Sequence, residues 1–388
     1  MTVNVSKPSI NLREKISELD KPSGIAGEHI LRSETPQEVF EYIGARNRNI
    51  IINGDMSIAQ RGTSTASITG NGYHTIDRFN TINTTLGTWT QSQETDVPTG
   101  QGFSKSLKMA CTTADASPAS GDRLDIQQKF EGQMLQYLKK GTSNAESLTL
   151  SFWVKSNKTG TYIVELFDND NARQISQAYT IDSASTWEKK TLTFSGDTSG
   201  ALNNDNGSSL QVSWFLAVGN NYSSGTLSTS WTSNTNANRA VGQVNLADST
   251  SNEWYITGVQ LEVGKFATPF EFLPYDVNLQ RCFRYYELLA AGYAKMLGFG
   301  GAYNANTPAF VSYYHPKRTT PSIDQTSGAG YYRIYGNGVE YTWSAYSALF
   351  QASTTQAMLL GSGTIPQGLI GLFDTISGSS YIAYDAEL

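Results

Sequence analysis

The residues of this chain that could do chemistry are mostly carboxylates. Asn53-Gly54-Asp55 follows three isoleucines and admits three readings: a tight turn, a metal-binding acid or a catalytic carboxylate. Asp122 with Asp125, and Glu262 with Asp55, could cleave a glycosidic bond if the fold held them at the separation that reaction needs. Acids of this kind are more often surface or hydrogen-bonded structural groups. Asp168-Asn169-Asp170-Asn171 has the look of a calcium loop. It lacks that motif's Gly and closing Glu, and it sits between two strand patterns, so it reads as a hairpin turn. His29, His74 and His315 are isolated, and no G-x-S-x-G, HExxH, P-loop or helix-opening GxGxxG occurs. Cys111 and Cys282 lie far apart and make neither a disulfide framework nor a zinc site, as expected of thiols in a reducing cytoplasm. The chain is therefore expected not to be an enzyme.

Sugar binding has another signature, aromatic faces with amides and carboxylates beside them. In the run Leu148–Val154 the even positions are apolar, which turns Trp153 to the opposite face with Thr149, Ser151 and Lys155. In 253–263, Tyr255, Val259, Leu261 and Val263 set one face, leaving Trp254, Gln260 and Glu262 on the other. Large aromatics on a solvent face expose apolar area without return. Trp153, Trp254 and Gln260 are thus candidates for glycan contact, while packing of both tryptophans against a neighbour is the competing reading.

The elements that must position these residues are strands. Of the 388 residues only 16% are charged, Gly numbers 35 and Tyr 21, and Ser, Thr and Asn abound, a mixture suited to polar-faced β-structure. The net charge of −6 argues against a nucleic-acid partner. No apolar run reaches the roughly 20 residues a membrane helix needs, and the opening MTVNVSKPSINLREK lacks the apolar core of a signal peptide. Period-two alternation recurs from Asn49 onward, in 148–154 and 210–218, while Tyr162–Phe167 is apolar on both faces like a central strand. Asp276 can cap a helix in which Leu279, Phe283 and Tyr286 share a face. Strand patterns then resume, rich in tyrosine.

Residues 1–48 differ, with dense charge of both signs. Leu12, Ile16 and Leu19 fall at heptad-like spacing. Thr35-Pro36-Gln37-Glu38 has the form of a capping box ahead of Val39, Phe40 and Ile43. Two such short helices cannot bury a core alone and call for a partner. The organisation expected is mainly β. A short helical N-terminal segment for attachment and oligomerisation (1–48) leads into a central jelly-roll β-sandwich (49–275), a helical connector (276–292) and a smaller C-terminal β-sandwich domain (293–388).

NIIINGDMSIAQRG, GYHTIDRF (72–79), WYITGVQLEVGKFATPFEFLPY (254–275), QRCFRYYE (280–287) and the closing YIAYDAEL together resemble tail-fibre-like virion proteins of marine bacteriophages. KPSINLREKISELDKPSGIAGEHILRSETPQE is similar to the leader of such chains. In that family an Asn-Gly-Asp/Asn-Met strand opens a jelly roll and G-V-Q-L-E closes it. The central part is also similar to carbohydrate-binding modules of polysaccharide-degrading enzymes, through the N-G-D strand and SFWVKS…TWEKKTLTF. Many of those modules hold a structural calcium, and the resemblance makes Asp55 and Glu262 the positions for one, although Gly-Val-Gln stands here where those modules have a second acid. No cofactor is otherwise required.

The resemblance implies a non-enzymatic virion protein, fibre-like, made in the host cytoplasm and docked through its N-terminus on tail, neck or capsid proteins. A homotrimer displaying its β domains to a host-surface polysaccharide follows, without membrane insertion. Its alternatives are a capsid decoration or neck protein using the same modules for packing, and a polysaccharide depolymerase.

Overall fold

The computed structural model describes Ile30, Arg32, Val39 and residues 48–388, apart from 305, 306 and 329. The expectations placed on Leu12, Ile16, Leu19, Phe40 and Ile43 lie outside the described residues, and Val39 is helical and half-buried. Asn49–Leu388 forms a compact unit separate from Met1–Arg48, and it is mainly β.

Thirteen strands build its first part: β1 (Ser64–Ile68), β2 (Gly72–Tyr73), β3 (Asn80–Thr84), β4 (Thr88–Glu94), β5 (Ser106–Thr113), β6 (Arg123–Glu131), β7 (Leu148–Ser156), β8 (Gly160–Asp168), β9 (Arg173–Ile181), β10 (Glu188–Phe194), β11 (Ser208–Val218), β12 (Thr232–Ser233) and β13 (Glu253–Val263). They pair antiparallel into a six-stranded sheet, β1-β4-β5-β13-β7-β10, and a seven-stranded sheet, β12-β9-β8-β11-β6-β3-β2. Between the sheets lies one core holding Trp89, Trp214, Trp254, Phe152 and Phe194, all buried. The alternation read in Leu148–Val154 is realised: Leu150, Phe152 and Val154 point inward. Between β8 and β9 the Asp168–Asn171 run forms the expected turn, closed by the Asn171 amide donating to Asp168 Oδ1 at 3.0 Å.

Asn49–Ile52 was expected to be the opening strand, ahead of a turn at Asn53-Gly54-Asp55. It runs beside β13, but its pairing comes partly from side chains. Ile50 N–H donates to Leu261 O at 2.9 Å and Val259 N–H to Gly54 O at 2.9 Å. Asn49 Oδ1 accepts from Leu261 N–H, and Gln128 clasps both backbone groups of Ile52. Asn53 has φ of 62°, and its amide binds Ile58 N–H, Ile58 O and Asp77 O in place of a backbone ladder. Gly54 cannot carry a side chain, since a Cβ there would sit 2.1 Å from Val259 O. The turn reading of Asn53-Gly54-Asp55 therefore stands.

The helix α1 (Asn220–Ser223) belongs to a long loop over the seven-stranded sheet, and α2 (Tyr275–Phe283) follows the sandwich. The connector was expected to be helical to residue 292. It stops at Phe283, and Tyr286 onward is strand, because residues 286–291 find a partner at the end of the chain. The second part comprises β14 (Tyr286–Ala291), β15 (Met296–Ala302), β16 (Pro308–Tyr313), β17 (Ser322–Gln325), β18 (Tyr332–Gly336), β19 (Val339–Trp343), β20 (Tyr346–Phe350), β21 (Gln356–Gly361), β22 (Ile370–Thr375) and β23 (Tyr381–Asp385). A three-stranded sheet, β14-β23-β17, faces a seven-stranded one, β19-β18-β22-β15-β16-β21-β20, around its own core.

The two parts are joined by a small apolar cluster of Ile52, Ile58, Cys282 and Tyr285. A buried ionic knot sits beside it: Arg78 stacks on Tyr285 at 3.4 Å and pairs with Glu387. Arg61 lies 3.5 Å over the Tyr286 ring and 3.3 Å from Asp385. Among the described residues no helix is long and apolar enough to cross a membrane.

Candidate functional site

The strand Arg123–Glu131 reads RLDIQQKFE, so Arg123, Asp125, Gln127 and Lys129 alternate with Leu124, Ile126 and Phe130, which fill the core. The odd positions face outward, away from the sandwich core. Cross-strand register puts Lys129 opposite Gln211, and Gln211 opposite Phe167, in one row across β6, β11 and β8. A second row carries Asn80, Gln127, Ser213 and Glu165, and a third Ile82, Asp125 and Phe215. The loop carrying α1 rises over one end of this face, where Phe215 packs with Ile163 and Ala240 and with the half-buried Tyr222. The result is a cleft of about 450 Å³, lined by Arg123, Gln127, Lys129, Phe167, Gln211 and Arg239 together with Asn71, Ile82, Asn169 and Ser208.

Two carboxylates lie under this floor, each tied to one arginine. Asp125 accepts from Nε and Nη2 of Arg123 and, at 3.1 Å, from Gln127 Nε2. Glu165 accepts from Arg239 Nε at 2.8 Å and Nη2 at 2.5 Å. Both acids are fully buried. A buried carboxylate is tolerated when bidentate hydrogen bonds replace its lost water. The guanidiniums bracket Phe215, with Arg123 5.2 Å and Arg239 5.9 Å from its ring centre, and Arg239 also covers Phe167 at 4.9 Å. Burial would lower the Arg123 pKa, but the charge and hydrogen bonds of Asp125, together with the charge of Glu165, hold the guanidinium above its ordinary value. At the other end Lys129 Nζ donates to Leu388 O at 3.1 Å. Its pKa is pushed below the ordinary lysine value by burial and then by the neighbouring charge of Arg78.

The residues predicted from sequence fall elsewhere. Trp254 is not on a solvent face: it is fully buried in the core. The reason is a β-bulge between Thr257 and Gln260, where Gly258 adopts φ of 61°. One extra residue reverses the phase, so Trp254 and Ile256 point inward before the bulge and Val259 and Leu261 after it. Gln260 does face outward with Glu262, but the chain at 268–271 covers both. Glu262 accepts from Thr268 N–H at 2.9 Å and Thr268 Oγ1 at 2.7 Å, and Gln260 Nε2 donates to Glu262, Thr268 and Pro269. Gln260 is thus a clamp on its own chain with no exposed surface for a glycan. Trp153 also keeps its predicted orientation and, unlike Gln260, is left half-buried, on the outer face of the six-stranded sheet between Lys189 and Thr257.

Asp55 accepts from Ser57 Oγ and Asn278 Nδ2, both at 3.0 Å, which fixes α2 against the opening turn. It shares no donor with Glu262. Among the described residues no group of three or more His, Cys, Asp or Glu could hold a metal ion. The cleft residues were legible only in part. The charged alternation of Arg123–Lys129 is the local signal that could have found this strand and was not read, whereas Glu165 and Arg239 are brought to it by strand pairing and loop closure.

No known protein family matches the chain by sequence, and no curated protein does. Solved structures with a partial likeness include a tailspike protein domain of bacteriophage CBA120, at 15% identity over 56% of this chain and 21% of that one, with a TM-score of 0.30. A putative sugar-binding protein of Bacteroides thetaiotaomicron is 11% identical over 56% of this chain and all of its own, with a TM-score of 0.30. The CBM22-1 xylan-binding domain from Paenibacillus barcinonensis is 13% identical over 57% and 100%, with a TM-score of 0.24. This chain spans about a fifth of the tailspike domain. At scores this low the functional reading rests on the cleft residues themselves.

Proposed function

We propose that this chain is a non-enzymatic, fibre-like virion structural protein, assembled in the host cytoplasm and docked on the particle through its N-terminal segment, whose sandwich binds a host-surface glycan. The observation that carries the glycan reading is the outward cleft of the seven-stranded sheet. It gathers amides, cations and aromatic edges on a rigid floor, the combination that fixes a polyhydroxylated ligand. A non-enzymatic role is supported by Asp125 and Glu165: each is buried and spends its oxygens on an arginine, so neither faces a bound sugar as an acid or base. The virion role rests on the sequence resemblance. Retention on immobilised polysaccharides tests the binding: Gln127→Ala with Gln211→Ala should weaken it at least tenfold without altering the oligomer. Release of reducing ends by purified protein would instead establish the depolymerase.

Homo-oligomerisation belongs to the same proposal and has its own support. On the outer face of the C-terminal seven-stranded sheet, Tyr335, Leu372 and Phe299 form one row across β18, β22 and β15. With Met296, Val311, Tyr313 and Ile370 they stand 46–75% exposed. Strands β15, β16 and β21 carry no charge. Seven such side chains amount to several hundred Å², roughly the largest patch a monomer leaves open and close to the ~800 Å² each partner contributes to a stable interface. Other copies of this chain are the occupant proposed here, the third copy completing a trimer whose weak sugar contacts add by avidity.

A further inference from the structure

We infer that the cleft selects an anionic saccharide, one bearing carboxylate or sulfate groups; this rests on the glycan reading of the same cleft. Three cations line it, Arg123, Lys129 and Arg239, and no acid does. The two acids beneath are fully buried. Glu131, the next outward position on β6, is taken by Arg284 and by the Tyr285 hydroxyl. The charged groups a ligand meets in the cleft are therefore cations, on a chain of net charge −6.

The hydrogen-bond inventory points the same way. Both arginines spend their Nε–Nη2 edge on a buried carboxylate, and among the described residues neither Nη1 has a hydrogen-bond partner. Each guanidinium thus keeps its Nη1–Nη2 end, a second fork of the kind that accepts an oxyanion. Because the buried acid holds the first edge, the fork is pre-oriented and loses little freedom on binding. Lys129 uses one of three protons on Leu388 O. Gln127 has a second amide proton beyond the one given to Asp125.

A neutral glycan would need what this cleft lacks, an open aromatic platform. Phe215 is fully buried, and Arg239 covers Phe167 at 4.9 Å. The cations fall at two places, the paired guanidiniums flanking Phe215 and Lys129 toward the other end. Arg123 and Lys129 are six residues apart on one strand, about 20 Å at the usual strand rise. That spacing suits charges repeated along a polymer.

The test uses the full chain and three polymers in retardation gels and calorimetry: polygalacturonate, dextran sulfate and neutral dextran. Polygalacturonate separates carboxylate from sulfate, and dextran supplies the uncharged backbone. Binding to at least one polyanion is expected, at least tenfold tighter than to dextran and falling as NaCl rises from 0.05 to 0.5 M. Lys129→Gln should weaken it severalfold. The paired change Arg239→Gln with Glu165→Gln, which leaves no buried charge unmatched, should weaken it at least tenfold while circular dichroism stays that of the parent. Equal retention of dextran, lost in the cleft variants, would overturn the anionic preference and keep the glycan cleft. Polyanion binding that ignores all cleft variants would overturn the cleft as its site. Binding to none of the three would overturn the inference.

Discussion

Arg239→Gln alone should be among the most destabilising polar changes in the sandwich. Glu165 is fully buried, and both of its oxygens accept from Arg239. Removing the arginine strands a carboxylate in a site that water does not reach, whereas the arginine itself sits nearer the surface, its side chain 8% exposed. Breaking a buried pair from one side costs about 3–5 kcal/mol. At a urea dependence of about 3 kcal/mol per molar, that moves the unfolding midpoint down by about 1–2 M. Glu165→Gln should cost less, about 1–2 kcal/mol, because the freed guanidinium can still turn to water. The double variant should recover to within about 1–2 kcal/mol of the parent, since no unmatched charge remains buried. Urea unfolding followed by tryptophan fluorescence and far-ultraviolet circular dichroism measures all three. If Arg239→Gln cost under 1 kcal/mol, or if the double variant were as unstable as the sum of the singles, the pair would not be acting as a unit. The account of a floor built on buried carboxylates would then fail.

Further outcomes follow from other parts of the fold. Trp254→Ala should cost about 3–5 kcal/mol of stability and leave glycan retention per folded molecule unchanged; retention lost with normal stability would restore Trp254 as a contact residue. Asp77 is fully buried, and burial pushes its pKa up to about 6 against the hydrogen bonds of Gln60 and the charge of Arg61. The folded state therefore holds the proton more tightly than the unfolded one. Its contribution is present below about pH 4 and is lost as pH rises through 6, about 3 kcal/mol at 1.36 kcal/mol per pKa unit. Asp77→Asn should accordingly flatten the stability profile between pH 4 and 6 relative to the parent; parallel profiles would contradict the assignment. Ile370→Lys with Phe299→Lys should lower the solution mass measured by light scattering, and an unchanged oligomer would remove the C-terminal face from the assembly.

What could be read from the sequence, and what could not, follows from how far each pattern reaches. Alternation in 148–154 is local, and the strand obeys it throughout. In 253–263 the same rule fails midway because Gly258 takes a left-handed conformation and inserts a bulge, so half the strand changes face. A lone glycine inside a strand pattern is the signal for that, and the phase before it cannot be carried past it. Asp122 and Asp125 drew attention as a carboxylate pair. The structure gives them separate tasks, Asp122 binding Thr85 Oγ1 at 2.5 Å and Asp125 holding Arg123. The partners that make the cleft, Glu165 and Arg239, stand 74 positions apart in sequence. No period links such residues, so only strand order and loop placement reveal them. The cover over Gln260 and Glu262 was likewise invisible, since residues 268–271 have no repeating pattern of their own.

Hydrogen-exchange mass spectrometry of the full chain, with and without a panel of neutral and acidic oligosaccharides, tests the central claim most directly. The cleft account predicts slowed exchange confined to peptides covering residues 123–131, 208–215 and 236–241, produced by the acidic members. Protection on the outer face of the six-stranded sheet around Trp153, on the C-terminal sheet face, or nowhere would contradict it.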